Sequence, residues 1–116
     1  MSLHAWNEIE PEQMNPLVSR KVRHTERLTI ARLELKRGAV VPEHHHESEQ
    51  VSMVQAGSLR FHMDGKEIVV SAGQLLAIPS HALHSVVALE DSVAVDIFTP
   101  RREDWIRGDD AYLRGR

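Results

Sequence analysis

The feature of this sequence that most restricts its fold is a succession of short apolar segments separated by turn-forming residues. In several segments the apolar side chains alternate with other residues, as at Leu59, Phe61 and Met63, which is the period of a β-strand. Turn signals such as glycine, proline or Asp-Gly recur about every 8 to 12 residues, a spacing typical of an all-β barrel or sandwich. The predicted strands span residues 28–35, 50–56, 59–63, 68–72, 75–78, 84–89 and 93–99.

The two ends of the chain lack this alternation. A length of 116 residues, without a linker or a long repeat, predicts one domain over residues 1–116 whose barrel core spans about 23–100. Residues 1–22 are interpreted as an N-terminal arm, and residues 101–116 as a charged tail that is predicted to contain a short helix. We expect the tail to pack three side chains against the outside of the barrel, namely Trp105, Tyr112 and Leu113.

The composition restricts both the partners and the ligand chemistry. The chain has no cysteine, so any bound metal ion would need nitrogen and oxygen ligands. A net charge of −3 does not favour a nucleic-acid surface, and no apolar run is long enough to span a membrane. The first residues also lack the pattern of a signal peptide. We therefore expect a cytoplasmic protein with neither nucleic-acid nor membrane partners.

Histidine is the unusual component of this sequence, with 8 residues, of which His44, His45 and His46 are consecutive. Side chains two apart in a strand share a face, so His44 and His46 are predicted to point one way and His45 the other. Gln50 lies four residues further on and shares the parity of His46 where the backbone stays extended. His45 and His81 are therefore interpreted as surface or loop residues outside any site.

Two stretches resemble the paired motifs of the cupin family. The first follows the pattern G-x5-H-x-H-x3-E-x6-G, with Gln50 in place of the usual Glu; its matches are Gly38, His44, His46 and Gly57. The second follows G-x5-P-x-G-x2-H-x3-N, with His81 and Ala88 as departures; its matches are Gly73, Pro79 and His84. The resemblance implies a cupin double-stranded β-helix, or jelly-roll, barrel.

The resemblance also implies one divalent transition metal ion, with His44, His46, Gln50 and His84 as its ligands. Imidazole and amide donors suit nickel, zinc, iron or manganese. This set carries no charge, so the ion would keep its full charge and attract an anionic substrate oxygen strongly. Neutral ligands stabilise a higher oxidation state of the metal ion less than a carboxylate would, which disfavours oxygen-activating iron chemistry. Alternatively, Gln50 does not contact the ion and makes a hydrogen bond to one of the residues that do.

A carboxylate interrupts the last predicted strand. Within Val93–Thr99, Asp96 shares a face with Ala94 and Phe98, and a carboxylate there is costly unless it is paired or functional. An ion pair with an arginine is the structural interpretation, and Arg102 follows shortly after the strand. In the functional interpretation, Asp96 moves a proton and Arg102 binds the carboxylate of an acidic substrate.

The segment from Asp96 to Asp104 supports a narrower resemblance. It is similar to the D-V-F-S-P-x-R-x-D ending of the KdgF-type cupins of pectin degradation, which also carry Gln in the first motif. That resemblance implies that the chain linearises 4,5-unsaturated uronates to 5-keto-4-deoxyuronate. It assigns proton transfer to Asp96, orientation of the substrate carboxylate to Arg102 and packing against the sugar to Phe98.

Two other functions remain open from the sequence. One is a metal-dependent dioxygenase of the same fold, and the other is a non-catalytic sugar-binding or sensor cupin, since fold alone does not decide function. Small cupins commonly pair, so the resemblance also implies a homodimer in which the N-terminal arm could reach the sheet edge of a partner. The expected ligand is a small, acidic, sugar-like molecule.

Overall fold

The computed structural model describes residues 1–115, whose strands form two antiparallel sheets. The all-β prediction and the short C-terminal helix are confirmed. The six-stranded sheet has the order β1-β2-β3-β10-β5-β8, and the four-stranded sheet has the order β4-β9-β6-β7. The strands are β1 (Glu12–Asn15), β2 (Val18–His24), β3 (Thr29–Leu35), β4 (Val40–His44), β5 (Glu49–Ala56), β6 (Ser58–Met63), β7 (Lys66–Ser71), β8 (Leu75–Ile78), β9 (His84–Ala88) and β10 (Ser92–Thr99).

In the part of the chain that the structure describes, the helical content is limited to a 3-10 turn at Trp6–Glu8 and one short α-helix, α1, at Glu103–Ile106. Within residues 1–115, neither is long and apolar enough to cross a membrane. The chain in this region is therefore organised by its strands, as the short apolar segments of the sequence predicted.

The core lies between the two sheets, as expected for the jelly-roll barrel. In β3 the burial alternates, and Ala31, Leu33 and Leu35 face inward as predicted. Leu59 and Phe61 of the other sheet are also buried and belong to the same cluster of apolar side chains. Burying the inner faces of both sheets against each other is the main stabilising contribution in such a sandwich.

Strand register places several polar residues on adjacent positions of the inner faces. Strand β10 lies between β3 and β5, so Asp96 pairs with Ser52 and Phe98 pairs with Gln50. In the other sheet, β4 pairs with β9, and His44 lies opposite His84. Because directly opposed residues have neighbouring side chains, these pairings bring together residues that are distant in sequence.

The N-terminal part of the chain differs from the predicted arm over residues 1–22. Strand β1 pairs with β2, and β2 pairs with β3, so both belong to the six-stranded sheet of this chain. Met14 and Val18 are buried in the core. The sequence did not predict β2 because Arg20 occupies an inward-facing position there and interrupts the alternation of apolar and polar residues. The homodimer remains a prediction.

The C-terminal tail also packs differently from the expectation. Trp105 and Leu113 are buried, and together with Tyr112 they line the interior cavity instead of lying outside the barrel. Ion pairs hold this segment in place: Asp110, 2% exposed, lies 2.5 Å from Arg20 and 2.9 Å from Arg114. The sequence shows the charges but not their partners, which are far apart in the chain.

Replacing Asp110 with asparagine is expected to lower the free energy of unfolding by about 3 kcal/mol, because the buried Arg20 then keeps, among the described residues, only the exposed Glu12 as a charged partner. Burial acts to raise the pKa of Asp110, but hydrogen bonds from Arg114 and Arg20 outweigh it and lower the pKa. The difference from wild type in urea unfolding should therefore shrink as the pH falls through this lowered pKa. Asp109→Asn, at an exposed neighbour, is the control. Equal stability of the Asp110→Asn variant and wild type at neutral pH would contradict the prediction.

Candidate metal centre and cavity

Three imidazoles meet at one end of the barrel. His44 ends β4, His46 follows in the loop before β5, and His84 begins β9. One nitrogen of each ring lies within 4.8 Å of a nitrogen of the other two. The three predicted histidine ligands are thus brought together. His45 and His81 are exposed outside this group, as expected from their positions.

Each of the three rings makes a hydrogen bond that fixes its tautomer. In all three, Nδ1 lies close to a backbone carbonyl oxygen, which can only accept, so Nδ1 carries the proton. Each Nε2 then keeps a free lone pair, as a metal ligand requires. The distances from Nδ1 to the carbonyl oxygen are 2.7 Å for His44 and Pro42, 2.7 Å for His46 and Ser48, and 2.8 Å for His84 and Ala82.

The three rings are neutral at physiological pH. Burial lowers the pKa of His44 to about 3 and that of His46 to about 4, and it also lowers the pKa of His84. The Nε2 atom of His84 is buried and makes no hydrogen bond within residues 1–115. A buried acceptor without a donor is costly, and a cation at this point would satisfy it.

Gln50 completes the group with an oxygen. Its Nε2 donates to Ser52 Oγ at 2.9 Å and to Asp96 Oδ2 at 3.3 Å, which fixes the amide so that Oε1 faces His46. Gln50 Oε1 then lies 3.0 Å from His46 Nε2, although neither atom carries a hydrogen to share. Adjacent ligands of one ion, at bonds of about 2.0–2.1 Å, lie about 3 Å apart. The contact therefore fits two ligands of one cation better than a direct hydrogen bond.

The residues present fit the divalent ion that the cupin resemblance implies. They offer three imidazole nitrogens with free lone pairs and one amide oxygen, a neutral set compatible with several transition metals. No described residue within this group offers a thiolate, in keeping with a chain that has no cysteine. His44, His46, Gln50 and His84 would hold the ion.

Asp96 lies next to this set, in the middle of β10. One carboxylate oxygen accepts the hydrogen bond from Gln50, and the other, Oδ1, is buried without a hydrogen-bond partner among residues 1–115. Burial raises the pKa of Asp96 to about 6. No ion pair joins Asp96 to an arginine in the described part of the chain, so the structural interpretation of this carboxylate is not supported.

Arg102 is buried at 2% exposure and lies between aromatic rings. Its guanidinium carbon is 4.8 Å from the centre of the Phe98 ring and 4.5 Å from that of Trp105. Arg102 forms a two-bond contact with the carboxylate of Asp104, two residues later, with Nε to Oδ1 at 2.9 Å and Nη2 to Oδ2 at 2.7 Å. The binding of a substrate carboxylate by Arg102 stays a prediction.

Phe98 is buried and connects the histidines with the tail. Its ring meets that of His46 edge-on at 5.6 Å and that of Trp105 at 5.1 Å. Such contacts between ring edges and faces are favourable and restrict ring orientation. Phe98 therefore supports both the His46 side chain and the aromatic wall formed by the tail.

These side chains surround one interior cavity. It is lined by His44, Gln50, His84, Asp96, Phe98, Arg102, Trp105 and Tyr112, together with apolar core residues. The space open to the centres of water molecules is about 40 Å³, which is room for a few waters at about 10–15 Å³ each. The cavity combines apolar walls with a small number of convergent polar groups, as ligand sites do.

Sequence reasoning missed three residues of this cavity: Ser52, Trp105 and Tyr112. Ser52 could have been found from strand parity, because Ser48, Gln50 and Ser52 are all buried on one face of the chain at β5. Trp105 and Tyr112 carried no signal of this kind. Their positions depend on the ion pairs of the tail.

Comparisons with known proteins agree with this geometry. The sequence model of the cupin domain family matches residues 31–99. The pectin degradation protein KdgF of Dickeya dadantii is 28% identical over 98 residues, which cover 82% of this chain and 89% of the relative. The match is therefore nearly complete in both proteins.

Solved structures give the same result. The structure of KdgF from Halomonas sp. has a TM-score of 0.83 and 34% identity, covering 90% of this chain and 99% of that one. An RmlC-like cupin from Shewanella frigidimarina has a TM-score of 0.84 and 26% identity, covering 90% and 96% of the two chains. The chain belongs to the cupin family, as a small cupin that resembles KdgF.

Proposed function

We propose that this cupin is a metal-dependent enzyme that linearises 4,5-unsaturated uronates, released from pectin or alginate, to 5-keto-4-deoxyuronate. The observation that carries the proposal is the unpartnered Oδ1 of Asp96, whose residue lines the same cavity as His44 and His84 of the neutral histidine set. The similarity to KdgF supports the substrate class. A buried carboxylate beside a candidate metal centre suits proton transfer to a bound sugar acid.

The reaction is an isomerisation and needs no oxidant or reductant. The bond between C1 and the ring oxygen breaks while the C1 hydroxyl loses its proton, which leaves an aldehyde at C1 and an enolate at C5. The C4=C5 double bond then takes up a proton at C4, and C5 becomes a ketone. The net change is the transfer of one proton from the C1 hydroxyl to C4.

Asp96 is assigned the proton transfer. Its buried Oδ1 is available for the hydroxyl proton, and its Oδ2 is held by Gln50. The same group can return the proton to C4, so no second acid is required. A divalent ion held by the histidines and Gln50 would supply Lewis-acid attraction to a substrate oxygen.

Arg102 and Phe98 are assigned supporting roles. Because Asp104 occupies the fork of Arg102, we assign to Arg102 the attraction of the substrate carboxylate through its positive charge and its remaining nitrogen. Phe98 forms an apolar wall against which the sugar ring packs. Together they would orient an acidic sugar with its reacting carbons toward Asp96.

The proposal is tested by following the unsaturated galacturonate by proton NMR in D₂O, with protein and with chelator-treated protein. We expect the linear ketone to appear faster with the metal-loaded protein, with deuterium at C4. The control is the spontaneous reaction in the same buffer. Formation of an oxidised product with oxygen uptake would favour a dioxygenase, and binding without any acceleration would favour a sensor; either result would refute the proposed reaction.

A further inference from the structure

The hydroxyl of Tyr112 is used as an acceptor by two donors of the protein. Arg102 Nη2 donates to it at 2.9 Å, and Trp105 Nε1 donates at 3.2 Å. A phenol oxygen has two acceptor positions and one hydrogen, so both acceptor positions are taken. Within residues 1–115 the hydroxyl hydrogen has no acceptor of its own. Tyr112 therefore has one donor free.

The position of Tyr112 indicates where that donor is used. Its ring stacks on His44, with centroids 4.7 Å apart and an angle of 25° between the planes. The residue also lines the interior cavity with Asp96 and His84. The free hydrogen is thus carried on a residue that borders the space where a ligand of the candidate metal centre would lie.

We propose that Tyr112 is a ligand-binding residue, which donates a hydrogen bond from its hydroxyl to an oxygen of an acidic sugar in this cavity. The ligand class rests on the proposed function. Arg102 and Trp105 take both acceptor positions of the hydroxyl, so its hydrogen is the part that remains for the ligand.

The size of the cavity requires that part of its wall moves when the ligand enters, and we assign this movement to Tyr112. A space of about 40 Å³ holds a few waters but not a sugar acid. The segment 107–115 carries Tyr112 and has no regular secondary structure. Its second residue is Gly108, whose φ of +79° suits glycine, and the segment is tied to β1 by the hydrogen bond from Asn15 Nδ2 to Leu113 O at 2.9 Å. Movement of this segment would be local to Tyr112, because Asp110 and Leu113 on either side of it are buried and anchored.

The test measures binding of D-galacturonate, which lacks the double bond and remains intact, to the metal-loaded protein by titration calorimetry. We expect Tyr112→Phe to raise the Kd about tenfold, because one hydrogen bond to a charged or polar oxygen is lost. The variant keeps the aromatic ring on His44, so its metal content should match wild type, whereas its melting temperature should fall because the buried donors of Arg102 and Trp105 lose this acceptor. Ala111→Ser, at the exposed neighbour, is the control and should bind as wild type does.

A second readout follows the segment itself. In a Trp6→Phe background Trp105 is the remaining tryptophan, and its indole donates to Tyr112. We expect its fluorescence to change with galacturonate at the Kd found by calorimetry. Unchanged fluorescence on saturation would overturn the movement of the segment.

The outcomes separate this proposal from the proposed reaction. A Kd for Tyr112→Phe within twofold of wild type, or no binding of galacturonate to wild type, would overturn the role of Tyr112. If wild type binds galacturonate, Tyr112→Phe weakens that binding and no unsaturated uronate is linearised, the role of Tyr112 stands and the proposed reaction falls.

Discussion

The variant His84→Ala is expected to lose its bound metal ion and, with it, nearly all activity. His84 is 1% exposed, its Nδ1 is fixed by Ala82 O, and its buried Nε2 has no hydrogen-bond partner within the described residues. Removing one of three imidazoles should cost more than the 10- to 100-fold in metal affinity that is typical of losing a mere hydrogen-bond partner of a ligand. We expect turnover to fall by at least about 1000-fold.

Metal content per chain, measured by mass spectrometry after dialysis, checks this expectation. The matched control is His81→Ala, which removes an exposed imidazole from the neighbouring loop and should keep the full metal content. Circular dichroism establishes that His84→Ala remains folded. One tightly held ion per chain in the His84→Ala variant would contradict the assignment of His84 as a ligand.

The variant Asp96→Asn is expected to retain its metal ion but to lose about 100- to 10,000-fold in kcat, which is the usual contribution of a positioned acid or base. Asparagine has nearly the same shape and fills the same space in β10, but it cannot carry a proton between two substrate atoms. The substrate should still bind, because Arg102 and the metal ligands are unchanged. The expected effect is therefore on kcat and much less on KM.

Steady-state rates on the unsaturated uronate, with metal content measured on the same sample, check this second expectation. Asp64→Asn is the control: Asp64 lies in the hairpin turn with φ of 54°, a conformation that asparagine also tolerates. It should behave as wild type. Unchanged kcat in Asp96→Asn would remove Asp96 from the mechanism, and loss of metal would show that its role is structural.

The histidines of the site could be predicted because their geometry is local. Alternation in a strand orients His44 and His46 alike, and the second motif supplies His84. The structure brings all three together, although β4 already ends at His44 and the loop carries His46 to the same point. Asp96 could be predicted as a site residue because burying a carboxylate at an inward-facing strand position is unfavourable unless the group is paired or functional.

The remaining parts of the fold and site could not be predicted because they depend on partners that are far apart in sequence. Arg20 faces inward in β2 and breaks the alternation there, and its partner Asp110 lies in the tail. That ion pair draws the tail over the cavity, so Tyr112 reaches His44. The ion pair between Arg102 and Asp104 was not predicted either, since no spacing rule identifies Asp104 as the partner of Arg102.

We propose that this cupin linearises an unsaturated uronate with a metal ion held by His44, His46, Gln50 and His84. The most direct test is the initial rate at which the ultraviolet absorbance of 4,5-unsaturated galacturonate disappears. Chelator-treated wild type is compared with the same protein after a divalent metal is added back. We predict that the treated protein is no faster than the spontaneous reaction and that added metal restores rapid loss. Equal rates before and after addition, with one ion per chain confirmed, would show that the ion takes no part in the reaction.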